Sequence, residues 1–119
     1  GNTLLQEGFF AGLGRLRRLS ITANPSLTIP PTGLFKELGE LETLHIKSNP
    51  ELATLADGLF SPLLKLSSLS VSYNAMLTTL GEEVLAGLST LTTLSVLDNA
   101  SLKTLPIELF KDLQGLKFL

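Results

Sequence analysis

LRRLSITANPSLTIPPTGLFKELGE, residues 16–40, decides the fold, because its pattern is written three more times along the chain. Leucine recurs at Leu16, Leu41, Leu66, Leu91 and Leu116, each 25 residues after the last. Three residues on stand Leu19, Leu44, Leu69 and Leu94. Then come Ile21, Ile46, Val71 and Val96, and then Asn24, Asn49, Asn74 and Asn99. Within the quoted segment, Arg18-Leu19-Ser20-Ile21-Thr22 alternates polar and apolar residues, the period of a strand with one buried face. Leu19 and Ile21 are expected to point inward, and Arg18, Ser20 and Thr22 outward. LETLHIKS, LSSLSVSY and LTTLSVLD repeat the alternation. Strands at the same phase in successive repeats pair in parallel and in register, about 4.8 Å apart.

A fixed period of this length, L-x-x-L-x-[IV]-x-x-N, reads as a solenoid. The expected fold class is α/β: a horseshoe segment with a parallel sheet on its concave side and short helical or 3₁₀ turns on its convex side. The frame divides the chain into a partial repeat 1–15, full repeats 16–40, 41–65, 66–90 and 91–115, and a partial repeat 116–119. All belong to a single domain of 119 residues. Neither end carries the polar outer face that a terminal repeat needs. The reading is therefore a fragment of a longer array, with neighbouring repeats or chains covering the ends.

The asparagine has a definite task in this frame. Where the chain leaves the strand, backbone N–H and C=O groups lose their ladder partners, and an amide side chain both donates and accepts. Asn24, Asn49, Asn74 and Asn99 are thus assigned to a structural ladder. Leu27, Leu52, Leu77 and Leu102 then return to the core, followed by Leu55, Leu80 and Leu105. The first repeat has Pro30 in that slot, and Ile29 is expected to fill the space. The back half reads G-L-F-K-E-L, G-L-F-S-P-L, E-V-L-A-G-L and E-L-F-K-D-L, apolar pairs that suit a short helix or 3₁₀ turn with one buried side. Phe35, Phe60 and Phe110 are expected to stack as a spine, with Leu85 replacing Phe in the third repeat. Leu5, Phe9, Phe10 and Leu13 stand 25 residues before Pro30, Leu34, Phe35 and Leu38 and extend the frame backwards.

Over essentially the whole chain this pattern resembles leucine-rich repeat proteins. The back half, clearest at Leu105-Pro106-Ile107-Glu108-Leu109-Phe110, is similar to the "typical" subclass found in Toll-like and variable lymphocyte receptors and protist surface proteins. The resemblance implies strands lining a concave face, protein or glycan binding there, and an extracellular or cell-surface setting. The chain departs from animal ectodomains of this kind in having no cysteine and hence no cysteine-rich caps.

The candidate site follows from the outward strand slots and the residues just after them. A hot spot favours Tyr, Trp and Arg, so the expected binding face is Tyr73 with Leu97 and Asp98. A basic corner of Arg18, His45 and Lys47 and the hydroxyls of Ser70, Ser72 and Ser95 complete it. Four exposed slots on four to five strands cover a flat area of only about 300 Å², against roughly 800 Å² per partner in a standard interface. Neighbouring repeats or flanks must contribute, or binding is weak. Seven acids (Glu37, Glu40, Asp57, Glu82, Glu83, Glu108 and Asp112) fall on the convex side and are read as solvated surface.

No catalytic, cofactor or metal site is expected. One histidine, no cysteine and scattered acids do not assemble a metal site, and a flat sheet offers His45 no oxyanion hole. Glycines recur at back-side turns rather than in a phosphate loop. A net charge of −2 points away from nucleic acid, and no apolar run reaches the ~18 residues of a membrane span. The sequence therefore predicts a non-enzymatic recognition module in a receptor, adhesin or scaffold, with a protein or glycan ligand, no nucleic acid and no membrane insertion. The alternative is a structural spacer or assembly element that associates end to end through uncapped repeats. The sequon Asn99-Ala100-Ser101 is expected to stay unmodified, because its asparagine belongs to the ladder.

Overall fold

The computed structural model describes residues 10, 12–23, 27–30, 33–81, 83–85, 88, 90–99, 101 and 102, with Thr79 and Leu97 described by their backbones alone. Asn24, Phe9, Leu105, Phe110 and the repeat beginning at Leu116 lie outside the described residues.

Each alternating segment forms a five-residue strand: β1 Arg18–Thr22, β2 Thr43–Lys47, β4 Ser68–Ser72 and β6 Thr93–Leu97. They pair in parallel in the order β1-β2-β4-β6. Leu19 lies against Leu44, Leu44 against Leu69 and Leu69 against Leu94, so each step of the sheet is one 25-residue repeat. This register leaves no choice of face, since a one-residue slip would turn every leucine to solvent. A second, two-stranded ladder of β3 Thr54–Leu55 and β5 Thr79–Leu80 follows the return to the core.

Beyond each strand the chain takes one residue in the left-handed region: Ala23, Ser48, Tyr73 and Asp98, with φ of 57°, 57°, 56° and 55°. That single residue turns the backbone inward and buries the next one, and Asn49, Asn74 and Asn99 are all buried. The Nδ2 of Asn74 donates to the Ile46 carbonyl at 3.1 Å, and its Oδ1 accepts the Asn49 N–H at 3.0 Å. Asn49 and Asn99 donate likewise to Ile21 and Val71, at 3.0 and 2.9 Å, and the Asn74 N–H donates to Asn99 Oδ1 at 3.0 Å. One side chain thus answers a carbonyl and an amide that the parallel ladder has abandoned. The asparagine carbonyl then closes a tight turn on Leu52, Leu77 or Leu102.

On the convex side the turn form of the sequence reading is the one observed. Among the described residues that side contains no helix. Bonds of the 3₁₀ type do form, from Leu38 N to Phe35 O, Leu41 N to Leu38 O, Leu63 N to Phe60 O and Leu66 N to Leu63 O, at 3.0–3.2 Å. They occur singly, two or three residues apart, and a helix needs them in succession. The back is therefore a string of isolated turns.

Between sheet and turns lies the core, with Leu41, Leu44, Leu52, Leu55, Leu63 and Leu66 fully buried. Phe10 joins the aromatic spine: ring centroids are 6.2 Å apart for Phe10–Phe35 and 5.8 Å for Phe35–Phe60. Leu85 takes the next slot, where Phe60, Val71, Leu80, Val84, Leu85 and Val96 line a void of about 10 Å³. Two core expectations are corrected. Ile29 is 61% exposed, and Pro30 is itself buried in the slot. Leu13, 25 residues before the buried Leu38, is exposed.

Candidate functional site: the open face of the sheet

Parallel in-register pairing turns the outward slots into rows. One row is Arg18, Thr43, Ser68 and Thr93; the next is Ser20, His45, Ser70 and Ser95; the third is Thr22, Lys47, Ser72 and Leu97. The left-handed residues Ala23, Ser48, Tyr73 and Asp98 border the third row. Arg18, His45, Lys47, Tyr73 and Asp98 are exposed, while Ser70 and Ser95 are half-buried between their lateral neighbours. On β1 the Ser20 and Thr22 hydroxyls lie 2.8 Å apart and satisfy one another.

Two of the expected clusters merge. The Lys47 ammonium lies over the Tyr73 ring, 5.7 Å from its centroid, a cation–π contact of about 0.5–1 kcal/mol at an exposed site. The ring is 53% exposed and stands on a backbone that bulky residues seldom adopt. The left-handed turn swings Tyr73 across the strand end, into the reach of the neighbouring strand's lysine. Arg18 lies apart from this pair: it opens β1, whereas Lys47 closes β2, about 13 Å further along the strands. The expected binding role of Ser72 is corrected, for it is only 6% exposed. It stands in register between Lys47 and Leu97, immediately before the Tyr73 turn. The side chain of Leu97 lies outside the described residues.

Sequence reasoning missed a second feature, at the flank where β1 begins. Gly14, Arg15, Arg17 and Glu40 line an open cleft of about 480 Å³. Glu40, assigned to the convex side from the sequence, faces this cleft and binds the Lys65 ammonium at 3.0 and 3.2 Å. That is the one ion pair among the described residues, so Arg15, Arg17 and Arg18 have no carboxylate partner there. The signal was present as the run Arg15-Leu16-Arg17-Arg18, of which only Arg18 falls in an outward strand slot. Among the described residues no group of three His, Cys, Asp or Glu could hold a metal ion, and no helix is long and apolar enough to cross a membrane.

A family profile described as "Leucine rich repeat" matches residues 39–99, more than half of the chain. The chain belongs to the leucine-rich repeat family. Among solved structures it is similar to a crystal structure of a TLR13–ssRNA13 complex, with 28% sequence identity and a TM-score of 0.71. The match covers 94% of this chain and 19% of the TLR13 chain, so this leucine-rich repeat segment spans about a fifth of that protein. No curated protein matches it.

That neighbour overturns the exclusion of nucleic acid, because the same repeat architecture is found in a complex with single-stranded RNA. Net charge was the wrong guide. It averages over the molecule, whereas binding responds to the local field, and here three arginines gather at one end of the sheet.

Proposed function

We propose that this leucine-rich repeat segment is a non-catalytic recognition surface that binds a protein or glycan ligand through the outward face of β1-β2-β4-β6. In this reading it works as part of a larger extracellular or cell-surface receptor, adhesin or scaffold. The observation that carries the reading is the Lys47–Tyr73 pair. A half-exposed aromatic is held in the left-handed region and capped by a cation, with the exposed Ser20 and half-buried Ser70 and Ser95 on the same face. An aromatic anchor with a basic neighbour is the composition of an interface hot spot. The short side chains around it leave room for a ligand to approach the sheet. A second reading, single-stranded RNA on the same face, is favoured by the TLR13–ssRNA13 neighbour and by Tyr73 as a stacking platform.

The test is photo-crosslinking from two positions in extracts of the source cells. One variant carries a photoreactive residue at Tyr73, the other at Glu37 on the convex side. The reading expects discrete adducts from position 73, diminished by Lys47→Glu, and none from position 37. Adducts from position 37 alone, or equally from both, would contradict it. Adducts removed by ribonuclease rather than by protease or glycosidase would select the RNA reading.

A further inference from the structure

We propose a second binding site, separate from the sheet face: the flank cleft at Arg15 and Arg17 docks a sulfated polysaccharide. The cleft is about 480 Å³ and its lining is charged, with two guanidiniums, one carboxylate and a glycine. The carboxylate is already answered, because Lys65 from the next repeat holds both oxygens of Glu40. Among the described residues the lining therefore presents a positive charge with no further carboxylate paired to it, and Arg18 next along the chain adds to it.

Arg17 rises from backbone tied to the sheet, and Arg15 from the hydrogen-bonded turn that precedes it. The Arg17 carbonyl accepts the N–H groups of Glu42 and Thr43 at 2.8 and 3.0 Å, and the Leu16 N–H donates to Leu13 O at 3.0 Å. Two guanidiniums on a held backbone cost less entropy to engage than two on a mobile loop. Guanidinium groups match the paired oxygens of a sulfate or phosphate through bidentate hydrogen bonds.

The absence of other chemistry in the lining selects among polyanions. Among the described residues it includes no aromatic or aliphatic anchor of the kind a protein ligand uses. Recognition of single-stranded RNA depends on bases stacking on aromatic rings. Tyr73 follows the third strand of the sheet, about 10 Å from β1, and its ring already lies under Lys47. What the neighbourhood does offer is the Thr43 hydroxyl on β2, beside the mutually bonded Ser20–Thr22 pair on β1, suited to a hydroxyl-rich chain.

The experiment titrates a heparin octasaccharide into the full chain at low salt, beside N-desulfated heparin and an RNA oligonucleotide of equal charge. Binding should weaken as salt is raised. Arg15→Ala/Arg17→Ala should weaken heparin binding about tenfold or more, and Arg15→Lys/Arg17→Lys should weaken it less, since charge stays while the bidentate fork is lost. Tyr73→Ala should leave it unchanged, which separates this site from the sheet face. Both arginines are exposed, and an unchanged circular dichroism spectrum verifies that the fold survives. The proposal is overturned by a lack of heparin binding, by heparin binding indifferent to the double alanine variant, by equal binding of the desulfated sugar, or by tighter arginine-dependent binding of the RNA.

Discussion

Asn74 joins three repeats with one side chain. It donates to Ile46 in the repeat before, accepts from Asn49, and has its own N–H answered by Asn99. Truncation leaves a carbonyl and an amide buried without partners, at about 1–3 kcal/mol each. Asn74→Ala should therefore lower unfolding stability by roughly 2–5 kcal/mol in urea denaturation. Asn74→Asp should be no better, because it turns a carboxylate oxygen onto the Ile46 carbonyl. The same burial bears on the sequon. Asn99 is buried and its Nδ2 is committed to Val71 at 2.9 Å, so a secreted preparation should yield the peptide containing Asn99 without glycan in mass spectrometry. Gly81 is constrained by space. A Cβ there would collide with the Asp57 carboxylate and stand 2.8 Å from the Asp57 nitrogen, while that carboxylate accepts the Glu83 N–H. Gly81→Ala should cost about 1–3 kcal/mol, read by the same denaturation. The asparagine was legible in the sequence because only an amide performs both tasks. The left-handed slot before it was not, because Ala23, Ser48, Tyr73 and Asp98 share a backbone demand and no side-chain signature.

At the scale of elements, the four long strands were legible because alternation and period agree, and the observed register follows both. The convex turns were less so. Apolar spacing there is compatible with a helix, but spacing reports which residues face inward, and isolated turns satisfy that as well. The β3–β5 ladder was invisible for a related reason: two residues are too few to show a period. The phenylalanine spine, by contrast, was read from recurrence, and Phe10–Phe35–Phe60 stack as the frame requires. Its interruption at Leu85 makes a prediction. The void beside Leu85 is bounded by apolar side chains only, so Leu85→Phe should extend the stack and raise Tm by a few degrees, about 1 kcal/mol. A lowered Tm would mean that the surrounding leucines and valines have already closed around the smaller side chain.

For the whole molecule, the division of labour runs between sheet and back. The back and the interior are occupied by packing and by hydrogen bonds between repeats. Even the Ser67 and Thr92 hydroxyls, next to the strands, are committed to the carbonyls of Glu42 and Ser67 in the preceding repeat, both at 3.1 Å. The outward face keeps what remains: Arg18, His45, Lys47, Tyr73 and Asp98. Sequence reasoning located these residues by slot. It did not join Lys47 to Tyr73, because that contact depends on where a left-handed residue aims its ring. Nor did it allow for Ser72 being covered, because burial of a small residue is decided by its neighbours. The central claim is that this face meets the ligand, and hydroxyl-radical footprinting tests it most directly. The chain would be oxidised alone and bound to the partner captured from position 73. Tyr73 and His45 report on the face, and Leu64, 71% exposed on the back, is the internal control. Protection of Tyr73 and His45 with Leu64 unchanged is the predicted result. Protection of Leu64 with Tyr73 and His45 still fully reactive would contradict the account.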